Sequence, residues 1–380
     1  MTGELPTTVT RRVDPPARPA APLGQSAVCG WCPKLCRPAC PVEFATQREA
    51  VAPHRISATV RDAEQRGWTA DALVAAASCT GCGACTSACL AGVVLPVESR
   101  AARGAASARG VRLPAAERLR ARIADAGSPR AGYLTPDVPA RTGASGDRLF
   151  FGCAVLDHDA ETEAAARQVF ATAGNAVPSD TASEPCCGAV ALDLGLAEEA
   201  AALARGAATA LTTTTPQPRA VALSPGCARM MREEWPLLGL PTPDVLTAPE
   251  WLDEMLATGR LRSRADAEAR AVGWHDPCTL ARGLRVVDAP RRVLAALGVT
   301  IVEPRETAAE TRCSGGGAAY PMVDASGAAA VAAVRAADLA ALGVPVATAC
   351  PEAKRALRAA GLDVRDLLEV AADRCVAATD

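Results

Sequence analysis

The feature that most constrains this chain is a run of four closely spaced cysteines between Cys79 and Cys89. The segment reads CTGCGACTSAC, which gives the spacing CxxCxxCxxxC. Three thiolates at such short intervals can hold one cubane iron–sulfur cluster from a single turn, and the fourth commonly ligates a different cluster. Gly81 and Gly83 let the backbone bend and bring its N–H groups close to inorganic sulfide. The segment therefore predicts one cluster at this loop and a second cysteine motif elsewhere in the chain.

A second cysteine motif lies upstream, and a proline follows its last member. Its cysteines are Cys29, Cys32, Cys36 and Cys40. The spacing CxxCxxxCxxxCP is one residue longer in the middle than the standard pattern, and CxxC pairs also serve zinc. Two compact motifs of four cysteines, one of them ending in Cys-Pro, resemble the ferredoxin pattern. The resemblance favours two [4Fe-4S] clusters over zinc.

The resemblance also implies ligation across the two motifs. One cluster would be bound by Cys29, Cys32, Cys36 and Cys89, and the other by Cys79, Cys82, Cys85 and Cys40. The connector between the motifs predicts helices, because residues 55–66 lack glycine and proline and Thr69 can cap a helix that ends at Ala77. Such a connector is similar to the all-helical two-cluster domain of respiratory iron–sulfur subunits. Leu90 stands where the usual proline would follow the last cysteine.

Composition agrees with metal chemistry inside the cell. The 380 residues include 16 cysteines, 40 basic and 42 acidic residues. Clustered cysteines without a visible secretory signal favour metal over disulfides, and the net charge of −2 gives no reason to expect a nucleic-acid partner. The uncharged run 72–97 is the cluster loop itself rather than a membrane span. We expect a cytoplasmic protein, soluble or peripheral on the inner face of the membrane.

From Arg148 onward, short apolar runs alternate with helical segments such as 161–173 and 189–211, which predicts an α/β fold. Several apolar runs end in a cysteine, where the N–H groups of a following helix can stabilise a thiolate. Three of these cysteines recur later in the chain. The pairs are Cys153 and Cys278, Cys186 and Cys313, and Cys227 and Cys350, separated by 125, 127 and 123 residues. The recurrence predicts a duplicated domain.

The tandem pattern Cys…Cys-Cys-Gly…Cys-x-x-Cys resembles that of the cysteine-rich CCG domains. These domains occur in heterodisulfide reductase subunits and in the iron–sulfur subunits of glycolate oxidase, anaerobic glycerol-3-phosphate dehydrogenase and lactate-utilisation complexes. The resemblance covers about residues 27–360 and implies an all-helical two-cluster ferredoxin domain followed by a duplicated α/β CCG domain. The expected divisions are a disordered tail (1–26), the ferredoxin-type domain (27–97), a linker with one helix at 114–126 (98–147), and two CCG domains (148–266 and 271–373).

The resemblance further implies an additional iron–sulfur cluster or metal in the repeats. The candidate ligands are Cys153, Cys186, Cys187 and Cys227 in the first repeat, and Cys278, Cys313 and Cys350 in the second. Met230 and Ala353 stand where the last cysteine of each motif would be, and Ser314 replaces the second cysteine of the pair. The full five-cysteine motif can hold a cluster that reduces a disulfide, so these departures favour electron relay over disulfide chemistry.

His275, three residues before Cys278, is the candidate catalytic residue, since it could hydrogen-bond a cluster or carry protons. Its alternative role is to cap the turn. Cys375 lies outside the repeat pattern, in a stretch that predicts a helix, and is expected to be a free structural thiol.

We interpret the chain as an electron-transfer subunit rather than a self-sufficient enzyme. It would relay electrons between a flavoprotein dehydrogenase partner and a downstream acceptor, such as a membrane quinone pool. No Gly-rich dinucleotide loop follows a strand, so neither NAD nor FAD is expected to bind this chain. The alternatives are a catalytic heterodisulfide or thiol–disulfide reductase that uses a CCG-domain cluster, and a metal-stabilised scaffold without a redox role.

Overall fold

The computed structural model describes residues 25–130, 146–177, 181–212, 217–264 and 270–377. The predicted tail 1–26, apart from its last two residues, lies outside these ranges. Helices account for the regular structure of residues 25–130. They span Cys36–Ala39, Pro41–Thr46, Pro53–Arg66, Ala70–Ala77, Ala84–Ser87, Leu95–Ala108 and Pro114–Ala126, with 3₁₀ turns at Gln25–Gly30 and Glu49–Val51. The N-terminal region is therefore helical, as predicted.

Capping residues explain where several of these helices begin and end. The Thr69 side chain accepts a hydrogen bond from the Ala72 N–H at 3.2 Å, which begins Ala70–Ala77. Gly127 adopts φ +70° and ends Pro114–Ala126. Both helices are confirmed, whereas Leu95–Ala108 was not predicted and crosses the expected boundary between residues 97 and 98. The domain boundaries stay predictions.

Two α/β units follow, and their strands are mostly parallel. The strands are β1 (Arg148–Phe150), β2 (Ala220–Ala222), β3 (Val245–Thr247), β4 (Leu261–Ser263), β5 (Arg270–Trp274), β6 (Val299–Val302), β7 (Val346–Thr348), β8 (Val364–Asp366) and β9 (Cys375–Ala377). The first sheet has the order β1-β2-β3 and the second β6-β5-β7-β8, with every neighbouring pair parallel. β4 and β9 form a separate antiparallel pair.

Helices connect the strands in both units, and β6 of the second unit has no counterpart among the described strands of the first. In the first unit they span Cys153–His158, Ala160–Thr172, Ala189–Asp193, Ala197–Thr212, Pro225–Arg229 and Ala248–Ala257. In the second unit they span Asp288–Ala296, Tyr320–Val323, Ala325–Ala340, Pro351–Ala359 and Leu367–Arg374. Single π-turns occur at Met230–Glu234 and Thr279–Gly283, and short 3₁₀ turns at Pro236–Leu238 and Ala308–Glu310.

The same local devices recur in both units. A capping box begins the helix after the last strand in each, with Thr247 and Glu250 in the first and Asp366 and Glu369 in the second. Gly188 and Gly315 both have positive φ, and an added Cβ would lie 2.6 and 2.7 Å from a carbonyl oxygen of the next long helix. These correspondences support the duplication. Superposition of the two units stays a prediction.

The domains pack on one another through continuous apolar cores. Trp251 and Phe170 of the first repeat, with ring centroids 4.8 Å apart, share a core with Trp274 of the second. The helical region packs in turn on the first repeat, where Leu73 and Leu203 belong to one core. Cys375, expected in a helix, lies instead in β9, where it is buried in the core of the repeats. Within the described ranges, no helix is both long and apolar enough to span a bilayer.

Candidate metal centres

The eight N-terminal cysteines form two groups whose thiols interact electrostatically. One group is Cys29, Cys32, Cys36 and Cys89, and the other is Cys40, Cys79, Cys82 and Cys85. Each group takes three cysteines from one motif and one from the other, and Cys85 interacts also with Cys36 of the first group. This is the grouping that crossed ligation requires, although the ligation itself stays a prediction.

The second of these groups lines one pocket. Val42, Ile56 and Leu95 complete much of its wall. Burial raises the pKa of Cys40 to about 12 and that of Cys85 well above the ordinary value, so metal binding here would have to displace thiol protons. A thiol-lined pocket in an apolar setting fits an iron–sulfur cluster.

The backbone of the 79–89 loop is shaped as its glycines allow. Gly81 and Gly83 adopt φ +69° and +75°, in the left-handed region that other residues avoid. The Gly81 N–H donates to the Cys79 sulfur at 3.4 Å. Such N–H···S hydrogen bonds stabilise thiolate charge and tune a bound cluster.

Arg103 fixes this loop against both repeats. Its buried guanidinium donates to the carbonyl oxygens of Cys79 at 3.3 Å and Ala318 at 3.4 Å, and to that of Asp193. Burial lowers the pKa of Arg103, and the nearby Cys79 opposes that shift. One side chain therefore joins carbonyl groups of the helical region and of both α/β units.

The first repeat brings its four candidate cysteines together. Cys187 and Cys227 have their sulfur atoms 3.4 Å apart, and Cys153 and Cys186 interact through their side chains. Gly152 has φ +78°, and a Cβ there would lie 2.9 Å from the Cys227 sulfur. Only glycine therefore allows this loop to approach the thiol so closely.

Buried polar groups fix the loops that carry these cysteines. The Glu184 carboxylate accepts from the N–H groups of Phe151 at 3.0 Å and Gly152 at 2.7 Å, and burial raises its pKa to about 7. The indole N–H of Trp235 donates to the Cys187 carbonyl oxygen at 3.1 Å. Met230, at the missing cysteine position, is buried in the same core as Cys187.

The second repeat joins only part of its candidate set directly. The thiols of Cys278 and Cys313 contact each other, and the Gly315 N–H donates to the Cys313 sulfur at 3.3 Å. Cys350 precedes the helix Pro351–Ala359 and interacts with Cys278 electrostatically, while its thiol contacts the Glu352 carboxylate at 3.2 Å. Three thiols thus lie in one region without a fourth from the same repeat.

A fourth thiol, that of Cys82, reaches this set from residues 79–89, the ferredoxin-type loop. Cys313 also hydrogen-bonds Cys82, and its thiol lowers the pKa values of both Cys82 and Cys278. The charge of Arg282 lowers them further, and its Nε donates to the Cys82 carbonyl oxygen at 2.7 Å. Arg282 was not identified from the sequence, because it lies 200 residues from the loop that it contacts.

His275 is fully enclosed and neutral. Burial lowers its pKa well below the ordinary value, and the adjacent Arg335 adds to the shift. Its Nδ1 accepts from Arg335 Nε at 3.2 Å, and its carbonyl oxygen accepts from the Thr348 hydroxyl at 3.0 Å. These contacts describe a structural role, and a catalytic one stays a hypothesis.

The spacing of the thiols bears on the alternative of zinc. Thiolates at the Zn–S distance of 2.3 Å around one zinc ion would lie about 3.8 Å from one another. Among the His, Cys, Asp and Glu side chains that the structure describes, only Asp159, Glu161 and Glu369 have ligand atoms all within 4.8 Å of one another. The Lys354 ammonium neutralises that acidic group, at 2.6 Å from Asp159 and in contact with Glu369. No three thiols of the described residues are that compact, although the sulfur atoms of Cys187 and Cys227 lie 3.4 Å apart.

Comparison with known proteins agrees with this organisation. Residues 148–232 and 272–358 each match the cysteine-rich domain CCG. Over 149 residues, the chain is 34% identical to a subunit of the dihydromethanophenazine:CoB–CoM heterodisulfide reductase of Methanosarcina mazei, covering 38% of this chain and 35% of that protein. The corresponding protein of Methanosarcina acetivorans is 32% identical over 148 residues, with the same coverage.

The third similarity is to a probable membrane-anchored ferredoxin of Chromohalobacter salexigens. It is 39% identical over 77 residues, which are 20% of this chain and 11% of that protein. The chain therefore spans about a third of the length of the two reductase proteins and about a tenth of that ferredoxin. Two matches to the cysteine-rich domain, together with these relatives, support a CCG-domain iron–sulfur protein.

Proposed function

We propose that this protein is an iron–sulfur electron-transfer subunit of an oxidoreductase complex. It relays electrons between a flavoprotein dehydrogenase partner and a downstream acceptor such as a quinone pool. The observation that carries the proposal is the contact between the thiols of Cys82 and Cys313, which belong to the ferredoxin-type loop and the second repeat. Because electron transfer slows steeply with distance, centres whose ligands touch are placed for rapid exchange.

Two [4Fe-4S] clusters in the helical region and a further centre in the repeats are part of the proposal. When bound, such clusters supply reversible one-electron storage at potentials set by charge, hydrogen bonds and burial. The chain's own residues supply those three influences. The Arg282 charge and the N–H groups of Gly81, Gly188 and Gly315 stabilise sulfur charge.

The contacts also support an order for the relay. The ferredoxin-type loop meets the second repeat at Cys82 and Cys313. The second repeat meets the first where Glu352, two residues after Cys350, accepts from the Ser224 hydroxyl. The second repeat therefore lies on a line of contacts between the ferredoxin-type loop and the four thiols of the first repeat.

A second candidate function is that of a disulfide reductase. Similarity to heterodisulfide reductase subunits favours it, as does the pair formed by Cys187 and Cys227 at 3.4 Å. Met230 and Ala353, where the disulfide-reducing motif has cysteines, favour the relay instead.

The test uses the full chain, purified and reconstituted without oxygen. The protein should bind iron and sulfide, accept electrons from a strong donor and pass them to an added acceptor. It should oxidise a small organic substrate only when its flavoprotein partner is present. In Cys313→Ser, the N-terminal clusters should still be reduced while transfer to the acceptor slows, and Cys375→Ser, which changes a buried thiol away from the centres, should behave as wild type.

Two results would contradict the relay. The first is unchanged transfer in Cys313→Ser. The second is steady reduction of a disulfide substrate by the isolated chain, abolished in Cys187→Ser, which would establish the reductase alternative.

A further inference from the structure

The carboxylate of Glu352 lies where the second repeat meets the thiols of the first. Its two oxygens accept from the Ser224 hydroxyl at 3.0 and 3.2 Å, and one of them also contacts the Cys350 thiol at 3.2 Å. Ser224 caps the helix Pro225–Arg229, which carries Cys227. A side chain of one repeat thus reaches the cysteine-bearing turn of the other.

Close backbone packing holds this carboxylate in place. Glu352 lies in the first turn of Pro351–Ala359, and a Cβ on Gly316 would lie 2.5 Å from the Glu352 carbonyl oxygen. A Cβ on Gly226 would lie 3.9 Å from the carboxylate itself. Close packing on Gly316 therefore fixes the Glu352 backbone, and the hydrogen bonds from Ser224 hold its carboxylate.

The electrostatics of the site are unbalanced without a cation. Within the described part of the chain, the hydrogen-bond partners of the Glu352 carboxylate are Ser224 and Cys350, neither of which is basic. Thiolates at Cys350 and at Cys227, on the helix that Ser224 caps, would repel this carboxylate unless a positive ion lay among them.

We propose that Glu352 is an oxygen ligand, supplied by the second repeat, to the metal centre that Cys153, Cys186, Cys187 and Cys227 form in the first repeat. The inference rests on the proposed iron–sulfur function. Carboxylates ligate iron at other protein sites, so the donor is chemically suitable. Met230, whose side chain packs against Gly188, leaves the first repeat without a fifth thiol of its own.

The test compares wild type with Glu352→Gln in the reconstituted full chain. Glutamine keeps an oxygen that accepts from Ser224, so the contact between the repeats survives while the anionic ligand is lost. We define the signal of the first-repeat centre as the part of the bound iron, and of the electron paramagnetic resonance spectrum, that is lost in Cys187→Ser. In Glu352→Gln, we expect this signal to change its line shape and its midpoint potential, and its iron to be lost faster to a chelator.

Two further variants sharpen the result. Glu198→Gln removes an exposed charge from the first turn of another helix, Ala197–Thr212, and should leave the signal as in wild type. Glu352→Cys replaces the oxygen donor by a thiolate and should retain the iron with a spectrum different from both. This variant keeps the test decisive if Glu352→Gln folds poorly.

The outcomes separate this inference from the relay. An unchanged signal in Glu352→Gln and Glu352→Cys would overturn the ligand assignment and leave the relay standing. Absence of iron removable by Cys187→Ser would also overturn it, while the N-terminal clusters could still transfer electrons. Conversely, the signal of the centre could change in the Glu352 variants while the wild-type protein transfers no electrons. That result would support the ligand assignment and contradict the relay.

Discussion

The helical region contains a pair of cysteine motifs, and the rest of the molecule contains a pair of α/β repeats. The two pairs differ in how their members exchange candidate metal ligands. In the helical region the exchange is reciprocal, because Cys40 joins the downstream thiols and Cys89 joins the upstream ones. In the α/β repeats, the proposed exchange of metal ligands has one direction, because Glu352 of the second repeat contacts Ser224 of the first. The second repeat instead meets Cys82 of the helical region. The difference teaches that the number of donors around a centre cannot be counted one motif at a time.

The strongest test of this comparison is to replace one of the two exchanged cysteines. Cys89→Ser should abolish the cluster of Cys29, Cys32 and Cys36. It should spare the cluster of Cys79, Cys82 and Cys85, although these cysteines lie nearest to Cys89 in the sequence. Mössbauer or electron paramagnetic resonance spectra of the two clusters would measure this. Cys40→Ser is the reciprocal control and should remove the other cluster. Selective loss of the Cys79 cluster in Cys89→Ser would contradict the reciprocal exchange.

A large loss of stability is expected where Lys354 joins the repeats. Its ammonium, with 2% of the side chain exposed, lies 2.6 Å from Asp159 of the first repeat and contacts Glu369 of the second. Lys354→Met leaves the Asp159 carboxylate, with 9% of its side chain exposed, without its counter-charge and should lower the free energy of unfolding by about 3–5 kcal/mol. Denaturant titration would measure it, with the exposed Arg355→Met as the matched control. A loss of unfolding free energy below about 1 kcal/mol, which is typical of surface ion pairs, would mean that the two repeats pack together without needing this lysine.

The smallest expected effect concerns the contact between the two pairs. Asp324 caps the helix Ala325–Ala340 of the second repeat and pairs with Arg48 of the helical region. Burial opposes its ionisation, but the Gly327 N–H and Arg48 outweigh burial and lower the pKa of Asp324 to about 2. Asp324→Ala should therefore cost about 1 kcal/mol at pH 7.

The sign of the pH dependence follows from that lowered pKa. The folded state binds the proton less readily than the unfolded chain, so the stabilisation is complete above about pH 4 and is lost as the pH falls toward 2. Unfolding curves of Asp324→Ala and its parent should differ at neutral pH and converge in acid, whereas the exposed Asp363→Ala should follow its parent throughout. A difference that does not shrink as the pH falls toward 2 would contradict the role of the ionised carboxylate.

Local patterns explain why much of this organisation could be predicted from the sequence. The cysteine spacings and their recurrence lie within short windows, and so do the caps at Thr69 and Gly127. Contacts between distant segments left no such pattern. In the sequence, Glu352 has an ordinary position, two residues after Cys350 in the first turn of a helix. No local pattern relates it to Ser224, which lies 128 residues earlier.

One predicted helix shows how tertiary contact overrides local propensity. Residues 189–211 were expected to form a single helix, but the structure has two, Ala189–Asp193 and Ala197–Thr212. Gly195 between them has φ +82°, and a Cβ there would lie 2.5 Å from the Arg103 carbonyl oxygen. The close approach of Leu95–Ala108 thus occupies the space that a continuous helix would need.

The hydrogen bonds of Arg103 have a consequence for how such chains can be recombined. Its guanidinium contacts carbonyl groups of Cys79, Asp193 and Ala318, one in each of the three folded regions. Because these partners are main-chain carbonyl oxygens, a region taken from a relative would satisfy the buried charge only if its backbone held the same carbonyl oxygen in the same place. A chimera of the helical region and the two repeats should therefore depend on backbone geometry at Cys79, Asp193 and Ala318 more than on the side chains there.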